Sequence, residues 1–314
     1  MLAPPVDAEV EEALATAVRL PPLSASDLPV LRAQISSRLA SLALSAHVAR
    51  TEVTVPGLAG QPDVTMRLHT PVGRTRPLPC IYSMHGGGYV LGHRAMDDLR
   101  FDEWCPELDF IGVSVEYRLA PETPFPGALD DCYTGLRWIH EHASEIGIDP
   151  ARIGVAGSSA GAGLAAAVAM LARDRGDVPV RWQMLGYPML DDRMASASSH
   201  WDVPVWSSQD NEFGWRCYLG DLCGSVDVPP LAAPARATDL AGLPPALVYV
   251  GAADLFCDED VCFAARLYQA GVPTELHVYP GAPHGFDRSA AATAVGRRCL
   301  RDTKEWLGLA LSRS

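Results

Sequence analysis

Apolar positions along the chain fall into short continuous runs, separated by longer stretches in which they recur with helical spacing. The runs at 79–88, 109–118, 151–157, 180–188, 245–254 and 274–280 read as strands covered on both faces. Residues 51–57 and 63–71 read as an opening hairpin. Helical patterning covers 126–146, 159–174, 258–271 and 288–311. This alternation predicts an α/β fold with a mostly parallel central sheet of about eight strands and helices on both faces. Two segments break it. Residues 1–50 are helical and precede the first strand. Residues 191–242 interrupt two strands and hold Trp201, Trp206, Trp215 and several prolines. A long insertion outside the sheet of a compact domain is often a functional lid.

Composition narrows the classes. A chain of 314 residues, 48% hydrophobic, is long enough for one large domain. No apolar stretch approaches the roughly 18 residues of a membrane span. The net charge is −13, the pI is about 5.1 and no basic run occurs, so neither nucleic acid nor a membrane is an expected partner. Lys304 is the one lysine, which removes chemistries that need another. The eight cysteines form no C-x-x-C pair or zinc-finger spacing and read as reduced, structural thiols. The N-terminus lacks a basic leader region and carries acids where an apolar one would lie. A soluble, cytoplasmic protein is expected.

Residues 157–161, G-S-S-A-G, match G-x-S-x-G, with Ser159 central and Ser158 in the variable slot. A strand precedes them and a small-residue helix follows, the context in which a sharp turn exposes a nucleophile. Gly161, Gly163 and Ala166 also fit G-x-G-x-x-A. They fall inside the helix, however, and no acid ends a following strand in place, which sets the dinucleotide reading aside.

A serine hydroxyl needs a base, and the base an orienting acid, each just past a strand and in the order acid then histidine. Only His200, His277 and His284 follow Ser159. His277 lies within a strand and His200 precedes every acid-bearing strand, which leaves His284 in the loop after 274–280. Asp254 ends the strand before it. Asp258, Glu259 and Asp260 are rivals, but they fall in the following helix, where a solvated face is expected. The glycines of "MHGGGYVLG" (84–92) would give oxyanion donors at Gly87 and Gly88, with Ala160 as the third. His85 would then shape the loop rather than bind metal, and His140 and His142, two apart on a helix, make no zinc site. No metal or cofactor is expected. Trp206, Trp215 and Phe286 are candidates for the substrate pocket.

Together "HGGG" (85–88), "YRLAPE" (117–122), "GSSAG" (157–161), "YPMLDDR" (187–193) and "HGF" (284–286) resemble, in order and spacing, the hormone-sensitive-lipase-like carboxylesterases of bacterial family IV, and within them the short-acyl esterases. "DDCY" (130–133) and "PARATDLAGLPP" (234–245) extend the likeness, which covers about residues 50–312. The chain departs from the family at 254–259, reading "DLFCDE" where "DPLRDE" is common. The resemblance implies an α/β-hydrolase fold with a helical cap: residues 1–50 as N-terminal cap helices, 51–314 as the catalytic domain, and 191–242 as a cap insertion. It implies a serine carboxylesterase acting on a small-molecule ester. An amidase or arylamidase with the same machinery is the alternative, and a homodimer stays open. A non-catalytic receptor on this fold would lack the histidine that His284 supplies.

Overall fold

The computed structural model describes residues 3–15, 22–58 and 60–312. Two helices, α1 (Ala8–Leu14) and α2 (Leu28–Ala40), precede the strands β1 (Val48–Val55) and β2 (Val64–Pro71). Then follow β3 (Leu78–Met84), α3 (Asp98–Leu108), β4 (Ile111–Glu116), α4 (Gly127–Glu141), β5 (Ile148–Ser158) and α5 (Ala160–Arg175). The chain ends with β6 (Val180–Gly186), α6 (Ser208–Leu219), β7 (Ala246–Gly251), α7 (Cys257–Gln269), β8 (Thr274–Tyr279), α8 (Phe286–Ser289) and α9 (Ala294–Ser312).

The eight strands form one sheet in the order β1-β2-β4-β3-β5-β6-β7-β8. β2 is antiparallel to both its neighbours, and every pair from β4 to β8 is parallel. The central strands are apolar at successive positions because both faces are covered. On one face Tyr82, Met84, Val113, Val115 and Val155 join residues of α4, α5 and α7. On the other Ile81, Ala156, Leu247 and Tyr249 join Phe101 and Trp104 of α3 and Leu307 and Leu311 of α9. Between parallel strands and a packed helix layer, the carboxyl ends of the strands share one edge, where ligands of such sheets bind.

Differences from expectation have local causes. β8 is the edge of the sheet, so Glu275, Leu276 and Val278 are exposed rather than buried. α3 escaped the pattern because its acids and an internal Pro106 blur the helical signal. The stretch expected as one helix at 288–311 divides into α8 and α9 around residues 290–293.

The N-terminal segment takes two positions. The Asp7 side chain caps α1 by accepting from the Glu9 N–H at 2.9 Å, and the Asp7 N–H donates to the Gly281 carbonyl, also at 2.9 Å. α2 instead lies beside the chain at Val90 and Ala120, to which Arg32 donates. In the 191–242 insertion, Ser207 and Asp210 form a capping box at the start of α6. α6 buries Asn211, Gly214, Trp215, Tyr218 and Leu219, one helical face. Among the described residues no helix is long and apolar enough to cross a membrane.

Candidate active site

β5 ends in a turn that only small residues allow. A Cβ on Gly157 would lie 2.3 Å from the Gly161 carbonyl oxygen, and one on Gly161 would lie 2.1 Å from that of Met84. Between them Ser159 holds φ +56°, ψ −126°, a strained conformation for a non-glycine residue. Its N–H donates to the Gly186 carbonyl at 2.9 Å, and its own carbonyl accepts from Ala162, Gly163 and Met189, which fixes the turn. The small residues of the motif are thus dictated by close backbone approach, and the strain turns the Ser159 side chain out of the sheet.

Three side chains from separate strand ends meet here. His284 Nε2 lies 3.0 Å from Ser159 Oγ, and His284 Nδ1 lies 2.8 Å from Asp254 Oδ2. The second carboxylate oxygen, Oδ1, accepts from the Phe256 N–H at 3.0 Å, so Asp254 is fixed at both ends despite the altered sequence after it. Asp254 is fully buried, while Ser159 and His284 keep 5% and 6% of their surface. Around the imidazole stand Tyr187 and Phe256, both edge-on, at 4.8 and 5.1 Å between centroids.

The 85–92 loop runs over the serine. A Cβ on Gly86 would lie 3.4 Å from Ser159 Cβ. Gly87 and Gly88 have φ +125° and +59°, which favours glycine at both. The Gly87 carbonyl accepts from Val90 and Leu91. Among the described residues, the N–H groups of Gly87 and Gly88 have no hydrogen-bond partner. Ala160 is the first residue of α5, so its N–H has no partner within the helix. His85 stacks on Tyr117 at 4.1 Å and donates from Nδ1 to the Gly86 carbonyl at 2.9 Å, and burial lowers its pKa, a loop-shaping arrangement.

Of the three aromatic candidates, Trp206 is beside the site. Its ring lies 6.4 Å from that of His284, and a Cβ on Gly88 would lie 2.3 Å from its ring edge. The other two differ from expectation. Trp215 has no exposed surface, because α6 turns it onto Tyr89 and Tyr218. Phe286 is equally enclosed and packs on Tyr279 in the core of the opposite face. Neither offers surface to an open pocket.

The rival acids also differ from expectation. Asp258 is exposed, but Glu259 and Asp260 are buried rather than solvated. Glu259 accepts from the Leu190 and Asp191 N–H groups, and Asp258 exchanges hydrogen bonds with Ser198. They bracket the start of the insertion to α7. Both carboxylate oxygens of Asp260 lack a partner among the described residues, and burial, then the nearby Glu259 and Asp254, pushes its carboxyl well above the usual range.

Sequence reasoning missed a buried polar network behind His284. Asp287 accepts from Arg100 at 2.6 Å and from the Tyr187 hydroxyl at 2.7 Å, and Arg288 donates to Asp97 at 2.6 Å. Burial would raise both carboxylates, but Arg100 and Arg288 outweigh it and hold them below the usual range. The sequence carries no local signal for it, because Arg100 and Asp287 lie 187 residues apart. A cavity of about 400 Å³ lined by Ser45, His47, Leu99 and Asp102 lies between the sheet end and α3, away from Ser159.

A family model described as alpha/beta hydrolase fold matches residues 81–288. The chain is similar to carboxylesterase NlhH of Mycobacterium tuberculosis, 38% identical over 257 residues, 79% of this chain and 80% of that protein. It is 31% identical over 253 residues to ethyl acetate hydrolase of Pseudomonas putida, covering 74% of this chain and 79% of the other. Among solved structures it resembles a bacterial heroin esterase, with TM-score 0.91, 42% identity and 98% of each chain covered.

Proposed function

This chain belongs to the α/β-hydrolase family, in its hormone-sensitive-lipase-like branch, and is a carboxylic ester hydrolase; from that premise we propose that it cleaves short-acyl esters through an acyl-enzyme on Ser159. The observation that carries the reading is the unbroken hydrogen-bonded chain Ser159–His284–Asp254 at 3.0 and 2.8 Å.

In this mechanism His284 Nε2 takes the hydroxyl proton as Ser159 Oγ attacks the ester carbonyl carbon. The carbonyl oxygen becomes an oxyanion, accepting from the N–H groups of Gly87, Gly88 and Ala160. Their lack of other partners supports the assignment, since donors that need no rearrangement stabilise charge as it forms. His284 then gives its proton to the departing alcohol oxygen. Water enters, loses a proton to His284 and attacks the acyl carbon, and the carboxylic acid leaves as Ser159 recovers its proton. Asp254 holds the Nδ1–H and stabilises the imidazolium in each half-reaction.

The segment 1–50 and the insertion 191–242 act as the cap in this reading. Trp206 forms a wall of the acyl pocket, which its contact with Gly88 supports. A wall so close to the oxyanion loop limits chain length. Each acyl methylene that finds an apolar surface contributes about 0.8 kcal/mol until the pocket ends. The relative named for ethyl acetate points the same way. The test is kcat/KM across p-nitrophenyl esters from acetate to palmitate, with triolein and p-nitroanilides alongside. The maximum is expected at roughly two to six acyl carbons on that per-methylene reasoning. A maximum at long chains, or activation beyond the substrate's solubility limit, contradicts it.

A further inference from the structure

We infer that Arg32, far from the nucleophile in sequence, is a positioning residue that holds the oxyanion-binding loop in its working shape. The inference rests on the proposal that Gly87 and Gly88 bind the oxyanion. From α2, the Arg32 guanidinium uses four of its five N–H groups. Nε donates to the Val90 carbonyl and Nη2 to the Ala120 carbonyl, each at 2.8 Å. Nη1 and Nη2 donate to the two oxygens of Glu122 at 2.8 and 3.0 Å. Arg32 is thus the tie between α2, the end of the glycine loop, and the 120–122 turn.

That loop needs an external tie. Tyr89, next to Gly88, holds φ +64°, a left-handed conformation that is strained for a non-glycine residue. The Tyr89 carbonyl accepts from Ala120 N–H at 2.9 Å, and the following Val90 carbonyl accepts from Arg32. Consecutive carbonyls are therefore pinned on the side of Ala120 and α2, while the Val90 N–H closes the turn onto the Gly87 carbonyl at 3.1 Å. The Tyr89 ring is stacked on Tyr218 of α6 at 3.9 Å, which secures the side chain but not the peptide. Losing the Arg32 fork frees the Val90 carbonyl and lets the left-handed turn relax. The Gly87 and Gly88 N–H groups then point less well at an oxyanion, with the substrate's ground-state contacts left in place. Lysine cannot replace the fork, because one ammonium cannot reach both carbonyls and the carboxylate in a fixed plane.

The test uses the full-length protein with p-nitrophenyl butyrate and a trifluoromethyl ketone, which binds as a tetrahedral adduct. Arg32→Met and Arg32→Lys are compared with Arg38→Met, which removes an exposed positive charge from the same helix. Both Arg32 variants are expected to lose about tenfold in kcat, below the 10²–10³ of an outright donor loss, with KM within about twofold. Their affinity for the ketone falls by the same factor, and Arg38→Met matches the unaltered protein. Should Arg32→Met not fold, Arg32→Lys carries the test. Unchanged kcat in either folded Arg32 variant, even with a lowered Tm, overturns the inference, as does a loss confined to KM. If the unaltered protein cleaves no ester, or Ser159→Ala cleaves it equally well, the failure lies with the proposed function instead.

Discussion

At the ends of β5 and β3 the backbone itself sets position: Cβ atoms on Gly157 and Gly161 would sit 2.3 and 2.1 Å from backbone oxygens, and Ser159 is held with a positive φ. Over that turn, α2 and the 191–242 insertion are held by side chains that reach across the sequence. Arg32 donates to Val90, Asp210 accepts from the Leu23 N–H at 2.8 Å, and Asp258 accepts from the Ser198 N–H at 2.9 Å. The turn is a rigid frame in which any added atom collides. The covering elements form a set of replaceable ties. Chemistry placed on the first should be intolerant of change, and selectivity placed on the second should be adjustable.

The sharpest way to break this contrast is at the frame's reacting groups. Ser159→Ala and His284→Ala should each lower kcat by roughly 10⁴–10⁶-fold with the fold intact, and Asp254→Ala by the same or less. Ser158→Ala should keep most activity. Circular dichroism and p-nitrophenyl acetate turnover decide it, and a dead Ser158→Ala beside an active Ser159→Ala would reverse the assignment.

Gly161→Ala tests the frame without touching a reacting group. The new methyl must push against the Met84 and His85 carbonyls, both backbone, so overpacking should cost about 1–3 kcal/mol or more. A Tm lowered by roughly 5 °C, together with reduced kcat, is expected. A variant as stable and active as the parent would show that the turn has slack.

Trp206→Ala samples the covering elements. With the ring gone from Gly88, longer acyl chains should gain several-fold in kcat/KM relative to acetate, and Tm should move by only a few degrees. An unchanged chain-length profile with a large fall in Tm makes Trp206 ordinary core.

The smallest expected effect concerns Asp260, where α7 joins the two regions. Its carboxyl titrates far higher folded than unfolded, chiefly through burial. Between the ordinary carboxylate pKa of about 4 and that raised value the unfolded chain binds fewer protons, so this group lowers stability as pH rises. Asp260→Asn should therefore raise Tm by a few degrees at pH 8, less at pH 5 and hardly at pH 4. A gain independent of pH would assign the effect to packing alone.

The same contrast explains what could be read from the residues beforehand. β3, β4, β5, β6 and β7 were legible because burial on both faces demands unbroken apolar runs, and the glycine motifs because close backbone approach leaves no other choice. Ser159, Asp254 and His284 could be singled out because each follows a strand. Arg32, Glu259 and the Asp287–Arg100 pair left no local signal. Their partners are 58, 69 and 187 residues away, and a lone arginine or glutamate looks the same in sequence whether buried or solvated. Trp215 and Phe286 misled for a related reason: helix phase, not a place in the insertion or next to His284 in sequence, sends them into the core.

The proposed reaction turns on which atom becomes acylated. Incubation with an activated p-nitrophenyl alkylphosphonate, followed by peptide mass spectrometry, reads this in one step. One adduct per chain is expected on Ser159, retained in Ser158→Ala and absent in both Ser159→Ala and His284→Ala. An adduct on Ser158, or labelling that survives Ser159→Ala, would contradict the account.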